Sequence, residues 1–251
     1  MEQPETPKAR AADSPPPGPP HRVRLPVNVH EWRSISFLHW RVDPAVMQQL
    51  VPRGLEVLIH DASAWVSVTP FVIRVRPPGL PAVSGLATFP ETNVRTYVAG
   101  PDGRQGLWFL RMEVTQAWFV AALRAVGLPY VRQRMSVTAD GGAITYVSQP
   151  RAGGAPGHRI VVRPGQALSP PSGGPTARFL TARWAAYHRR GRILLRTPAE
   201  HPPWPLQTAA VEDCAVAGLF AAAGLPAPQA RPALAHYSPG VRVRIGPPAR
   251  V

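Results

Sequence analysis

Alternation constrains this chain more than any other feature of its sequence. Ten short stretches, at residues 34–42, 55–60, 64–76, 92–98, 107–114, 130–139, 143–149, 158–163, 192–197 and 241–245, carry strand-like patterning with turn residues between them. Side chains of a strand point to opposite faces in turn, so the spacing predicts strands, and their number predicts a mainly β (α+β) fold. Two hairpins are legible. Asp140-Gly141-Gly142 joins one pair of strands, and Gly100-Pro101-Asp102-Gly103 joins another. Helices are expected only as punctuation. Asp43-Pro44 caps one that ends near Pro52 and Gly54, and residues 115–126 carry an apolar stripe stopped by Gly127 and Pro129. Shorter helical patterns lie at 179–188 and 216–223, residues 170–175 read as a loop, and no internal repeat is visible.

A chain of 251 residues that is 45% hydrophobic can bury a sizeable core. Residues 1–24 are proline-rich and lack an apolar stretch, so they read as a disordered leader rather than a signal peptide, with a single domain over 25–251. The longest nearly apolar run, 215–227, is too short to span a bilayer. These features together predict a soluble, cytoplasmic protein. The formal net charge of +14 raises the question of a nucleic-acid partner. Its distribution argues against one, because the charge is scattered and only Arg189-Arg190-Gly191-Arg192 is compact, with no accompanying DNA- or RNA-binding motif.

The richest chemistry lies in Pro90-Glu91-Thr92-Asn93-Val94-Arg95-Thr96-Tyr97-Val98. Alternation places Glu91, Asn93, Arg95 and Tyr97 on one face. An acid, an amide, a guanidinium and a phenol in a row can hold a small polar molecule, with Arg95 as a fork for a carboxylate and Glu91 as an acid or base. The same pattern also describes an ordinary solvated face.

Other residues narrow the reaction classes. Lys8, in the leader, is the only lysine, so a Schiff base from a lysine within the domain is excluded, and with it pyridoxal phosphate held in that way. Cys214 is the only cysteine and stands beside Glu212 and Asp213, which makes it a structural thiol rather than a nucleophile. The eight histidines include no H-x-H or H-x-x-x-H pair. No metal and no cofactor are therefore expected. His39, which precedes Trp40 on a strand, and His201, which opens the stiff segment His201-Pro202-Pro203-Trp204-Pro205-Leu206, are candidates to face a cavity.

Several segments together resemble the YqjF-like family of uncharacterised bacterial proteins, in the acetoacetate-decarboxylase-like superfamily. They are Phe37-Leu38-His39-Trp40-Arg41-Val42, Pro52-Arg53-Gly54-Leu55-Glu56-Val57, Ala64-Trp65-Val66-Ser67-Val68-Thr69-Pro70-Phe71, Phe89 to Val98, Gly106-Leu107-Trp108-Phe109, Gly127-Leu128-Pro129-Tyr130 and the His201 segment. The resemblance implies a β-barrel with a central pocket and a few peripheral helices, and it moves the Glu91 row indoors. It also carries a departure. Tyr130-Val131 stands where the decarboxylases have their reactive lysine, so that mechanism is closed to this chain.

The resulting expectation is a barrel that binds a small carboxylate or carbonyl compound and acts on it by lysine-independent acid-base chemistry, as a lyase, dehydratase, isomerase or cyclase. Glu91, Arg95 and Tyr130 would be catalytic. Asn93, Tyr97, His39, His201, Trp65, Trp108 and Trp204 would contact the ligand. Competing readings are a non-catalytic sensor or carrier, and a basic interaction protein that binds nucleic acid or an acidic partner. No membrane partner is expected, and the oligomeric habit of superfamily relatives leaves a homo-oligomer open.

Overall fold

A computed structural model describes residues 10–12, 15–16, 18–76, 87–150, 157–169 and 173–251. The first half contains β1 (Arg10–Ala11), β2 (Asn28–Val42), α1 (Pro44–Gln49), β3 (Glu56–Ile59), β4 (Ala64–Arg76), β5 (Thr88–Ala99), β6 (Gln105–Val114) and α2 (Ala117–Ala125). There follow β7 (Tyr130–Arg132), β8 (Arg134–Asp140), β9 (Ala143–Gln149), β10 (His158–Ala167) and α3 (Gly174–Thr181). The chain ends with β11 (Ala185–Arg190), β12 (Ile193–Glu200), β13 (Gln207–Ala215), α4 (Ala217–Ala222), β14 (Leu234–Ile245) and β15 (Ala249–Arg250).

Seven strands close on themselves. The order β12-β11-β6-β5-β4-β2-β14 is sealed by pairing of β14 back to β12 at Ala199↔Ile245 and Glu200↔Arg244. Closure removes the sheet edges and encloses an interior. Strands β13, β10, β9 and β8 continue from β14 and fold over the outside of the ring, while β15, β3 with β1, and β7 attach to β12, β5 and β6. Strands β2, β4 and β5 thereby become a wall between two cores. Leu38, Val66, Val68, Val94 and Val98 pack on one side with Ile144, Tyr146, Ile160 and Val162. Phe37, Phe71, Phe89, Met112 and Tyr130 pack on the other. The solvated-face reading of β5 fails for this reason, since every residue from Glu91 to Ala99 is buried.

Local chemistry places the connections. Asp43 Oδ1 accepts hydrogen bonds from the Ala45 and Val46 amides at 2.7 and 3.2 Å, and Pro44 pre-sets the first helical position of α1. Helix α2 ends at Gly127, whose φ of +92° disfavours a side chain and where a Cβ would run into the Arg189 carbonyl. That turn delivers Tyr130 to the ring, with β7 pairing in parallel with β6 at Met112↔Tyr130.

Four expectations are corrected. Residues 179–188 are not one helix. Pro175 near its start and Thr181 at its end bound α3, and the alternating burial of Ala185 and Tyr187 belongs to β11. Residues 170–175 are not wholly a loop, because α3 begins at Gly174; residues 170–172 lie outside the described set. The stretch 130–139 is divided at buried Gln133 between β7 and β8. Strand β13 was hidden by Ala209, Ala210 and Ala215, whose low strand preference masks an alternating half-burial. Within the leader, Arg10–Ala11 pairs in parallel with β3, and Val23 is buried with its amide hydrogen-bonded to Glu200. Among the described residues no helix is long and apolar enough to cross a membrane.

The wall between the cores contains one buried ionic network. Fully buried Glu113 accepts from Arg111 Nε at 2.7 Å and Ser148 Oγ at 2.9 Å, with His158 Nδ1 at 3.4 Å. Burial pushes the Glu113 carboxyl up, but His158 and Arg111 outweigh it and hold the group below the ordinary carboxylate value of 4.5. A depressed folded-state pKa stabilises above the unfolded value and is lost as pH falls through the folded one. Glu113→Gln should therefore cost about 3 kcal/mol at pH 7, as expected for breaking a buried pair. Urea titrations at pH 7 and in steps below pH 4.5 check this, with a shallower acid decline expected in the variant.

Candidate functional site

Every strand of the closed ring contributes at least one residue to an interior cavity of about 240 Å³, from Trp32 on β2 to Ile245 on β14. Strand β5 supplies its polar row through register. Glu91 lies opposite Phe71 and Val114, Asn93 opposite Thr69 and Met112, and Arg95 opposite Ser67 and Phe109. Alternation then turns Glu91, Asn93 and Arg95 inward, and all three line the cavity. Tyr130, His201 and Trp204 line it as well.

Glu91 is 2% exposed, with Tyr130 Oη donating toward its carboxylate oxygens at 3.3 and 3.4 Å. The opposing effects on this acid resolve clearly. Desolvation dominates, hydrogen bonds from Tyr130 and Asn93 counter it only in part, and the pKa rises to about 8. Glu91 is thus protonated at neutral pH. Burial and the neighbouring Glu91 also push the Tyr130 phenol well above its ordinary value.

Arg95 is 5% exposed, and desolvation lowers its pKa, with Tyr97 opposing. Its Nε has no hydrogen-bond partner among the described residues. Arg183, which the sequence reading missed, is a second buried guanidinium in the same cavity. It follows α3, lies 4.8 Å above the Phe179 ring and 5.3 Å from the Tyr97 centroid, and donates from Nη1 to the Ala182 carbonyl. Its Nε and Nη2 have no partner among the described residues, and burial lowers its pKa to about 10. Among the described residues neither arginine forms an ion pair with a carboxylate. Two cations buried without an acidic partner leave this cavity with positive charge that no described side chain balances.

The arginine segment is tied down by the proline-stiffened one. His201 Nε2 lies 3.3 Å from the Arg183 carbonyl, the Trp184 indole donates to the His201 carbonyl at 3.3 Å, and the Trp204 indole donates to the Thr181 carbonyl at 3.0 Å. Burial keeps His201 below its ordinary pKa and hence neutral. Its two ring nitrogens lie against the Pro202 and Arg183 carbonyls while the ring lines the cavity.

Four of the residues expected at the ligand lie outside the cavity lining. Tyr97 is one rung beyond Arg95, fully buried against Phe179, with its hydroxyl donating to the Leu180 carbonyl at 2.7 Å. His39 is buried with Nδ1 2.6 Å from Ser67 Oγ. Trp65 packs in the cluster below Tyr97 and donates to the His60 carbonyl, with Arg41 4.5 Å above its ring. Trp108 points away because its neighbours Leu107 and Phe109 point in. Arg183 carries no sequence signal of its own, and the helical pattern expected across 179–188 concealed it. Cys214 is remote from the cavity, its thiol pushed up to about 11 by burial and Asp213. Among the described residues no group of three or more His, Cys, Asp or Glu is placed to hold a metal ion.

The family of uncharacterized conserved proteins DUF2071 matches residues 29–242. An uncharacterized protein, YqjF of Bacillus subtilis (strain 168), is 32% identical over 209 residues, covering 82% of this chain and 85% of that protein. The chain belongs to the YqjF-like DUF2071 family. Solved structures extend the likeness of this YqjF-like chain at the level of fold. An acetoacetate decarboxylase-like enzyme from Sphingomonas wittichii RW1 matches with a TM-score of 0.61 at 14% identity, over 91% of this chain and 94% of that one. The enduracididine biosynthesis enzyme MppR, complexed with pyruvate, matches at 0.63 and 14% identity, over 90% and 91%. Acetoacetate decarboxylase from Legionella pneumophila matches at 0.59 and 12%, over 98% and 92%. The YqjF-like chain thus has the acetoacetate-decarboxylase-like fold, with Tyr130 following the Gly127-Leu128-Pro129 turn.

A raised carboxyl pKa makes folding pH-dependent in a defined sense. Between the ordinary value of 4.5 and about 8 the unfolded chain releases a proton that folded Glu91 keeps, so stability falls as pH rises through that window. The full effect is on the order of 5 kcal/mol. Chemical denaturation at pH 5 and pH 8 should show wild type losing stability, and Glu91→Gln should lose markedly less.

Proposed function

We propose that the barrel binds a small organic acid bearing a carbonyl or hydroxyl, and acts on it by proton transfer as a lyase, dehydratase, isomerase or cyclase. The observation that carries this reading is the pair of buried guanidinium groups, Arg95 and Arg183, in one cavity with a protonated carboxylic acid, Glu91. The pyruvate held by the fold neighbour MppR is a molecule of this class.

In this mechanism Arg95 and Arg183 take the substrate carboxylate through their unpartnered N–H groups. Desolvation strengthens that attraction, since charges in a low-dielectric cavity act on each other with little screening. Glu91 enters the reaction as an acid. It donates its proton to a carbonyl or leaving hydroxyl oxygen, or returns it to carbon, and its pKa near 8 suits exchange in both directions at neutral pH. Tyr130 hydrogen-bonds the Glu91 carboxyl and fixes its direction, while Asn93 Oδ1, which has no partner among the described residues, accepts from a substrate hydroxyl. Trp32, Phe71, Phe119 and Trp204 form apolar walls that exclude water.

Arg95→Ala and Arg183→Ala should each weaken pyruvate binding by about 100-fold, as expected when one partner of a desolvated charge pair is removed. Isothermal calorimetry with native mass spectrometry of the freshly purified protein measures this, and wild-type affinity in both variants would refute the anion site. Glu91→Gln addresses chemistry separately. It should keep the affinity of any acid found bound within about tenfold while abolishing conversion of that acid. Undiminished conversion would remove Glu91 from the mechanism, and binding without conversion in wild type would make the protein a carrier or sensor.

A further inference from the structure

The cavity has a third polar station that the proton-transfer reading leaves unused. His30, on β2, lines it and is buried, yet neither ring nitrogen has a hydrogen-bond partner among the described residues. Its counterparts in the lining differ. His188 sets Nδ1 2.7 Å from the Val126 carbonyl and Nε2 2.9 Å from Thr197 Oγ1. His201 sets both nitrogens near carbonyls. Buried polar atoms in native proteins are satisfied with few exceptions, and an imidazole with two orphaned nitrogens facing a cavity is one that points to a ligand. Burial lowers the His30 pKa to about 4, so at neutral pH the ring offers one donor and one acceptor.

Register gives the station its place. Along β4, Arg95 lies opposite Ser67, Glu91 opposite Phe71 and His30 opposite Val75. Each step is four residues, about 13 Å along the strand. A continuous run of rings connects the levels. The Arg95 guanidinium lies 5.4 Å from the Phe37 centroid, Phe37 meets Trp204 edge-on at 5.0 Å, Trp204 stacks on Trp32 at 6.0 Å and 12°, and Trp32 stands 6.3 Å from His30. On the neighbouring strand β4, Phe71 meets Trp32 edge-on at 5.7 Å. Flat apolar surface therefore lies between a cationic end and a neutral hydrogen-bonding end.

We propose that His30 is a distal specificity subsite, which hydrogen-bonds a hydroxyl or carbonyl at the far end of an elongated, flat-bodied acid whose carboxylate sits at Arg95 and Arg183. This rests on the anion reading above and narrows it from short oxo acids to aryl-bearing ones. The aromatic wall takes the body of the ligand, and His30 selects among bodies by their terminal polar atom. A site built around a buried polar group disfavours an analogue that leaves the group unpaired.

Binding of four probes that bracket the separation of the two stations tests it: 2-oxo-4-phenylbutanoate and the longer 5-(biphenyl-4-yl)-2-oxopentanoate, each with and without a para hydroxyl on its outermost ring, with pyruvate as the short reference. Wild type should bind both aryl acids more tightly than pyruvate, and in at least one of the two lengths the hydroxylated acid should bind about tenfold more tightly than its parent, the worth of one hydrogen bond. His30→Leu should erase the hydroxyl preference and leave the unsubstituted acid within about twofold, while His30→Gln, which retains a donor and an acceptor, should keep part of it. Absence of a hydroxyl preference at both lengths in wild type overturns the subsite, as does its persistence in His30→Leu. The wild-type comparison decides the matter even if a variant fails to fold. If the acids bind equally with and without hydroxyl and lose affinity in Arg95→Ala, only the His30 subsite falls. If no acid binds, pyruvate included, the anion reading falls and the subsite with it.

Discussion

Coverage of β5 on both faces is the constraint from which the electrochemistry of this protein follows. A strand that carries Glu91, Asn93 and Arg95 would be unremarkable with one side in water. Here the ring closes over its inner face and the β8–β10 extension covers its outer face, so the row has no solvent to share its charge with. Desolvation then acts on acid and base alike. It holds Glu91 in its neutral form and lowers the pKa of Arg95, without either group needing the other as a partner. The two β12–β14 residue pairs that seal the ring are few, yet they separate a pocket from a cleft.

The two buried polar assemblies of the wall show how differently such groups can be used. On the outer side Glu113 is satisfied by Arg111, Ser148 and His158, and Thr92 Oγ1 completes the set at His158 Nε2, 3.1 Å away. On the inner side Asn93 and Arg95 of β5, Arg183 of the α3–β11 link and His30 of β2 each keep a polar atom without a partner among the described residues. The difference is one of charge pairing, since the outer carboxylate stands against Arg111 and His158 whereas the inner guanidinium groups face no ionised acid among the described residues.

Alternation is what made the fold legible. The strand patterns at 64–76 and 143–149 coincide with β4 and β9, and the Gly141-Gly142 turn, with φ of +53° and +79°, is the hairpin its sequence predicts. Glu91, Asn93 and Arg95 could be read as one row because a period of two fixes their common face. Arg183 and His30 could not. Arg183 reaches the cavity from the short link between α3 and β11, where a helical pattern of residues concealed a break, and no periodicity governs a link. His30 lies on β2 before the left-handed Ser34, φ 46°, and the register shift between Arg33 and Leu38, beyond the stretch whose alternation begins at 34. A bulge resets the face pattern, so residues on either side cannot be aligned from sequence alone. Trp65 and Trp108 failed for a plainer reason, since bulk and aromaticity favour burial without saying in which core.

The lack of any lysine beyond Lys8 bears on how charge is balanced in this pocket. A buried amine near Glu91 would draw the acid toward its ionised form by attraction, whereas neutral Tyr130 supplies only a hydrogen bond, too weak to offset burial. The positive charge of the cavity resides instead on Arg95 and Arg183, with buried Glu91 uncharged beside them. In the proposed mechanism an entering carboxylate would neutralise the arginines and repel any negative charge on Glu91, so that binding of the anion would reinforce the protonated state of the acid that acts on it.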